Sequence, residues 1–347
     1  MSSRDVFYFN TWYRGHNNAR YAELLPRLDR VERYLLTFPR ARVLRAASER
    51  GWRMTRRPLE PLVLRALERR HPNAFVTDVR QLASLRAPFV IDLDDVDFTD
   101  ASASLLRAPN MTAYTVTDAS TARRLESFGV DRPWYVVPQG AALDTLDPDA
   151  VRQIGEANRD GDTCVIGYVA AFLLLPGDRG GHDTLYNIEH LLELWDEIAQ
   201  HVPEASLWLI GQPSAEVERR IAGRRDIRLI GAVPKASVMS YVANFDVALY
   251  PRTEGRGIRA SKIAEYLGAG VPVVSYDYNV VEDVREAGAG ILVDTPREFV
   301  EAVERVVRDD ALRGALAGAA KAAGAERDWR VLSARVADVL DRHLPPA

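Results

Sequence analysis

Short apolar runs rich in Val, Ile, Leu and aromatic residues alternate along this chain with longer segments whose apolar residues recur every three to four positions. The short runs are continuous, with no polar residue at every second position, which is the pattern of strands buried on both faces. One series falls at Val6–Asn10, Arg33–Phe38, Ala74–Thr77, Phe89–Leu93, Thr112–Thr117 and Trp134–Val137. A second follows at Cys164–Val169, Ser206–Ile210, Ile227–Ile230, Val247–Tyr250, Val271–Ser275 and Gly290–Val293. Helical-period segments such as NIEHLLELWDEIAQHV and SAEVERRIAGR stand between them. This alternation predicts an α/β protein with parallel sheets covered by helices on both faces.

The stretch PQGAALDTLDPDAVRQIGEANRDGD, residues 138–162, is polar and turn-rich and divides the two series. Two Rossmann-like domains facing each other across a cleft are the economical reading, over residues 1–145 and 146–326. The remaining residues, 327–347, include DWRVLSARVADVLDRHL, an amphipathic helix with apolar Val331, Leu332, Val336, Val339 and Leu340, expected to pack back across the domains. Ligands of such sheets bind beyond the carboxyl ends of the strands, so candidate chemistry is sought in the loops there.

Composition narrows the function classes. The chain is 347 residues long, 47% hydrophobic and 27% charged, enough to bury two cores. Its 45 basic and 49 acidic side chains give a net charge of −4, which argues against nucleic-acid binding by the chain as a whole. The charge is uneven, with 16 Arg against 7 Asp or Glu in residues 1–70. There, RARVLRAASERGWRMTRR (residues 40–57) interleaves Arg with Val43, Leu44, Trp52 and Met54. Such a stretch can contact anionic lipid or an acidic acceptor, or simply form a solvated helix face. The lone cysteine, Cys164, excludes an internal disulfide framework and a cysteine-based metal site, and is expected to be a core thiol. No charged leader with an apolar run behind it opens the sequence, and no apolar run approaches about 18 residues. The expectation is a cytoplasmic protein, at most peripheral to a membrane.

Two stretches carry chemistry. LYPRTEGRGIRASKIAEYLGAGVPVVS reads as strand, loop, helix, tight turn and strand. Its loop holds Arg252, Glu254, Arg256 and Arg259, while Gly255 and Gly257 let the backbone approach a ligand closely. Ser261 is the expected helix N-cap, beside Lys262 at a positive helix end suited to phosphate. Glu265 lies on the same helix face and can accept hydrogen bonds from a ribose diol. An exposed Lys–Glu pair is the plainer alternative. Lysine is scarce here, only Lys235, Lys262 and Lys321 among the 45 basic residues, so a lysine at this point suggests a compact charge was needed. In FVIDLDDVDF, Asp92, Asp94, Asp95 and Asp97 cluster at the end of a strand. Carboxylates so placed can act as a base, bind a divalent cation, or form a solvated loop.

The run DIRLIGAVPKASVMSYVANFDVALYPRTEGRGIRASKIAEYLGAGVPVVS resembles the donor-domain signature of GT-B nucleotide-sugar glycosyltransferases of the family 4 type, the glycosyl transferases group 1. That signature combines P-x-x-x-(V/L)-x-x-Y, D-V-x-L-x-P and, in one subgroup, K-x-x-E-Y-L-x-x-G-x-P-V-V. The resemblance covers most of residues 164–294. It implies a GT-B fold, with sugar moving from a nucleotide-diphosphate donor to a hydroxyl acceptor on a glycan, a lipid-linked molecule or a small molecule. It implies no metal and no cofactor beyond the donor itself. Glu265 then corresponds to the residue holding the ribose hydroxyls, and Lys262 to a lysine at the donor phosphates or a sugar carboxylate, with Arg259 and helix amides beside it. Gly167 corresponds to a strand-end glycine, Arg179 to a phosphate-binding cation, and Gly211 to a loop passing near the base. His182 shares the Arg179 loop and reads as a surface residue. In the N-terminal half, Trp12 and Arg20 resemble an aromatic residue and an arginine of related enzymes, and His16 is a candidate polar group facing the cleft. Asp94 or Asp95 would deprotonate the acceptor hydroxyl in an inverting reaction and orient the acceptor in a retaining one. The commoner family pattern has two glutamates eight positions apart, and eight before Glu265 stands Gly257. That departure leaves open a non-catalytic sugar-nucleotide-binding partner of another glycosyltransferase, and a GT-B epimerase or phosphorylase is the other enzymatic reading.

Overall fold

The computed structural model describes residues 4–12, 19–37, 60–94, 100–159, 161, 164–178, 188–252, 260–277 and 281–346. Its contacts divide the chain into two units, Met1–Pro138 with Arg330–Ala347, and Gln139–Trp329.

The first unit is a parallel sheet of β1 (Val6–Trp12), β2 (Val31–Thr37), β3 (Asn73–Val76), β4 (Phe89–Leu93), β5 (Met111–Val116) and β6 (Trp134–Val136), in the order β2-β1-β3-β4-β5-β6. Strands β3 and β4 are buried at every position, as continuous apolar runs require. Phe7, Phe9, Phe75 and Phe89 are buried in this unit, together with Leu64 and Leu67 of the helix at residues 60–68. Each such side chain contributes about 1.5–3 kcal/mol by leaving water.

Arg20, in the helix Ala19–Leu24, is 1% exposed. Its Nε and Nη2 donate to the two carboxylate oxygens of Asp92 at 2.7 and 2.8 Å. Further bonds run to the carbonyls of Pro138 at 2.8 Å and Val137 at 2.9 Å, and Thr115 donates to the same carboxylate. One planar fork therefore ties a helix, β4 and the chain after β6 together. Arg20 and Asp92, both singled out from the sequence as site-like, are internal structure. A guanidinium saturated by a carboxylate and two carbonyls is committed to the fold.

The last helix, Trp329–His343, joins the first unit from Arg330 onward. It buries Leu332, Val336, Val339 and Leu340, whereas Val331 is exposed, contrary to its expected place on the apolar face. Tyr135 meets His343 Nε2 at 2.7 Å, Arg30 donates to Asp341 at 2.7 Å, and Asn73 donates to the Pro345 carbonyl at 2.7 Å.

The second unit is a parallel sheet of β7 (Cys164–Leu173), β8 (Ala205–Pro213), β9 (Ile227–Gly231), β10 (Val247–Tyr250), β11 (Val273–Tyr276) and β12 (Gly290–Val293), ordered β12-β11-β10-β7-β8-β9. Helices Ile188–His201 and Pro296–Arg308 pack on one face around Trp195, Leu207, Leu249 and Phe299. Helices Val238–Val242 and Ser261–Gly268 pack on the other around Trp208, Phe245 and Tyr266. Cys164 is buried at the start of β7, and burial pushes its thiol up to about 12.

All twelve expected strands are present, with informative differences at their ends. Strand β7 continues four residues past Val169 through a register shift, and β8 runs on beside it. Strand β11 starts after Pro272, which has no N–H to give the ladder but accepts from Ala248 through its carbonyl. Within the polar stretch 138–162 lies the helix Pro148–Asn158, capped by Asp147, whose side chain accepts from Asp149 N. Gly167 sits inside β7, not at its end. A Cβ there would lie 2.1 Å from the Phe245 ring, so this glycine serves packing.

Replacing Arg20 by Ala strands the Asp92 carboxylate in the core and is expected to cost about 3–5 kcal/mol. Urea denaturation of the variant checks this, and a loss below about 1 kcal/mol contradicts the anchoring role.

Candidate functional site

In the second sheet the chain steps from β7 through β8 to β9 on one side, then returns to lay β10, β11 and β12 on the other. The seam between β7 and β10 is thus a topological switch point, where flanking connections diverge and leave room at the carboxyl ends. Tyr168 of β7 and Tyr250 at the end of β10 stand at this seam.

The helix Ser261–Gly268 brings Lys262 onto those two rings. Its Nζ is 4.2 Å from the Tyr168 ring centre and 5.8 Å from that of Tyr250, and it donates to the Tyr168 hydroxyl at 3.1 Å. The helix is tied down twice. Tyr266 Oη accepts from Val169 N at 3.0 Å, tying it to β7 where the register shifts. At its carboxyl end, Gly270 N and Val271 N bond back to the carbonyls of Leu267 and Tyr266, both at 2.9 Å, and Gly270 takes φ +73°. That pair of bonds with a left-handed glycine is a Schellman motif, which explains the glycine turn after the helix.

Ser261 is not the N-cap. Ala260 holds that place and no side chain caps the helix, so Ser261 is its first residue. Lys262 and Glu265 are both buried, which removes the exposed-pair alternative. Glu265 forms its ion pair with Lys235, half of whose side chain is exposed, in the turn Lys235–Ser237 after β9. Sequence reasoning did not place Lys235 here. The scarcity of lysine that drew attention to Lys262 applies equally to Lys235 and is the signal that could have found it.

Burial holds the Lys262 ammonium down to about 7, the charge of Glu265 works against that shift, and the Arg252 guanidinium adds to it. Arg252, just past β10, is itself 5% exposed, and its Nη1 lies 3.5 Å from the Tyr250 hydroxyl. Two buried cations are thus brought together at the carboxyl edge of the sheet, a charge arrangement suited to an anion.

Gly211, near the end of β8, has φ +148°, and a Cβ there would come within 2.2 Å of the Ala170 carbonyl. Its lack of a side chain is required by the close approach of β7 and β8. Arg179, Gly257 and Arg259 lie outside the described residues, as do His16 and Asp95.

In the first unit, β1 and β3 flank the corresponding switch point. Tyr8 Oη lies 3.4 Å from Thr77 Oγ1 and accepts from Asn10 Nδ2 at 2.9 Å. Asp94 is half-buried just after β4, and its charge adds to the burial that raises the Tyr21 hydroxyl. Tyr21 in turn donates to the Asp92 carbonyl at 3.3 Å. Among the described residues, no group of three His, Cys, Asp or Glu side chains is placed to hold a metal ion. No helix among them is long and apolar enough to cross a membrane.

Residues 179–309 match the family model described as glycosyl transferases group 1. That span carries Gly211, Lys235, Arg252, Lys262 and Glu265. The phosphatidyl-myo-inositol mannosyltransferase of Mycobacterium tuberculosis is 28% identical over 160 residues, which are 44% of this chain and 42% of that protein. The match therefore spans less than half of that relative. Among solved structures, Anabaena Alr3699/HepE in complex with UDP has a TM-score of 0.71 at 15% identity, covering 99% of this chain and 100% of that one. A glycosyltransferase from Rickettsia africae has a TM-score of 0.70 at 10% identity, with both chains covered completely. The fold is that of the GT-B glycosyltransferases, with two Rossmann-like units.

A lysine whose burial lowers its affinity for a proton destabilises the folded state wherever the unfolded chain would carry it charged. The cost is complete below about pH 7 and fades as pH rises toward the unfolded value of 10.5. Lys262→Met is expected to stabilise the ligand-free protein by about 2–4 kcal/mol at pH 6. That gain should shrink by roughly half by pH 9. Denaturant unfolding at the two pH values measures both, and destabilisation at pH 6 contradicts the assignment.

Proposed function

We infer that this chain is a glycosyltransferase that moves a sugar from a nucleotide-diphosphate donor to a hydroxyl acceptor. The observation that carries the reading is Lys262, buried beside Arg252 at the β7–β10 switch point with Glu265 one helical turn further on. Three residues of helix advance about 4.5 Å. That spacing suits a diphosphate at Lys262 and Arg252 and a ribose diol at Glu265. The K-x-x-E-Y form of the motif, the group 1 match and the mannosyltransferase similarity support the same reading.

In this reaction the bond between the anomeric carbon and the diphosphate oxygen breaks, and a bond to the acceptor oxygen forms. The acceptor proton passes to a base. The leaving diphosphate gains charge as the bond opens, and fixed cations in a low-dielectric site stabilise that charge strongly. Lys262 and Arg252 fill this role, joined by Arg259 and Arg179. The acceptor belongs to the first unit, where Asp94, Asp95 and His16 are the polar groups assigned to it. Asp94 or Asp95 takes the proton if configuration inverts. The Arg-rich residues 40–57 suit contact with an anionic lipid surface, which favours a lipid-linked acceptor and a cytoplasmic, membrane-peripheral location.

Thermal-shift screening with uridine, guanosine and thymidine diphosphates and their sugars, followed by measurement of diphosphate release, tests the reading. Glu265→Ala and Lys262→Met are each expected to abolish the shift from the best nucleotide, and unchanged shifts in both would sink the site. Binding without release from any donor would instead favour a non-catalytic partner.

The pH dependence is also fixed by Lys262. Burial brings the Lys262 ammonium down to about 7, and a diphosphate bound beside it favours the protonated form. Binding then takes up a proton, and affinity for a donor whose phosphates stay ionised falls by up to about tenfold per pH unit. Calorimetry at pH 8 in buffers of different ionisation heat should show this uptake, and Lys262→Met should lack it.

A further inference from the structure

The ion pair between Lys235 and Glu265 goes beyond the reading above while resting on it. Lys262 lies at the β7–β10 seam, and Lys235 follows β9, two strands away across β8. Glu265 stands between them, in helical sequence with the first and in contact with the second. Glu265 therefore has one cation a helical turn before it, at the β7–β10 seam, and another in contact with it from the turn after β9. A nucleotide presents phosphate, ribose and base in that order, and its base is bonded to the carbon beside the one carrying the 2′-hydroxyl. With the phosphates at the β7–β10 seam, a cation that touches the ribose-holding carboxylate from the turn after β9 is within one side chain of the base.

We propose that Lys235 reads the nucleobase, donating from its ammonium to a ring carbonyl and selecting uracil, thymine or guanine over adenine. Glu265 is 6% exposed and its position is set by the helix, whereas the Lys235 side chain is 51% exposed and free to adjust. An ammonium has three N–H donors, so it can keep Glu265 and still reach a base oxygen. Adenine offers an amino group where the keto bases offer oxygen, and two donors facing each other repel. As a plain ion pair, one so exposed on one side would contribute little to stability. Its position at the base end of the site gives it a role that stability does not.

Calorimetric titration of the full chain with uridine, thymidine, guanosine and adenosine diphosphates tests the assignment in wild type, Lys235→Met and Lys235→Arg. The wild type should bind at least one keto-base diphosphate about tenfold or more tighter than the adenosine compound. Lys235→Met should bring that ratio close to one by weakening the keto-base ligand, and Lys235→Arg should largely keep it. An equal loss for all four in Lys235→Met would make Lys235 only a support for Glu265 and overturn base reading. A gain for all four would show that it competes with ligand, and would overturn it too. If the wild type binds none of the four, the nucleotide reading itself fails, an outcome distinct from any confined to Lys235.

Discussion

Burying an ammonium is the constraint around which the second unit is arranged. Lys262 is 9% exposed, against two tyrosine rings, with a second buried cation repelling it. The ring faces and the Tyr168 hydroxyl return part of the lost hydration, as does the field of Glu265 one turn away. They do not return all of it, because the lysine still holds its proton less firmly than in water. A core built only for stability would place Met or Leu there. Keeping a cation there costs stability, and such positions are where binding and folding stability trade against each other.

The first unit shows the same kind of charge with the opposite outcome. Arg20 is more deeply buried than Lys262, yet its donors meet the Asp92 carboxylate and two backbone carbonyls, and nothing about it invites a ligand. Both cations stand near strand ends in Rossmann-like sheets, and both are conspicuous in the sequence. The difference lies in how far each charge is satisfied from within. Arg20 has its firmer hold on the proton reinforced by Asp92, whereas Lys262 has its hold weakened.

That contrast marks how far the sequence could be read. All twelve strands were legible, most plainly buried runs such as β3, β4 and β10, because a strand buried on both faces needs no partner to be recognised. The helix of residues 261–268 and the motif on it were also legible, and with them the chemistry of Lys262 and Glu265. What local pattern could not reveal was pairing across the fold. Arg20 meets Asp92 across 72 positions, and Lys235 meets Glu265 across 30. Glycines misled for a related reason. Gly167 lies in a run that looks like a ligand loop, but what demands a glycine there is Phe245, a residue 78 positions later that presses on the backbone. Ser261 has a good capping side chain, yet the helix begins one residue too early for it to act as the cap.

The glycines that flank the Lys262 helix complete the argument, since a site of this kind needs its support held still. A Cβ on Gly324, in the helix Asp310–Ala325, would come within 2.4 Å of the Leu267 carbonyl and 2.6 Å of Gly268 Cα. A Cβ on Gly268 would meet Leu143 at 2.7 Å and Ala141 at 2.9 Å. The Lys262 helix is thus in backbone contact with one neighbour and side-chain contact with another, while Tyr266 bonds it to β7 and the left-handed Gly270 fixes its end. These contacts hold the helix that carries Lys262 and Glu265 against its neighbours. Close packing of this kind keeps the two side chains at a fixed spacing, which recognition of one ligand by both requires.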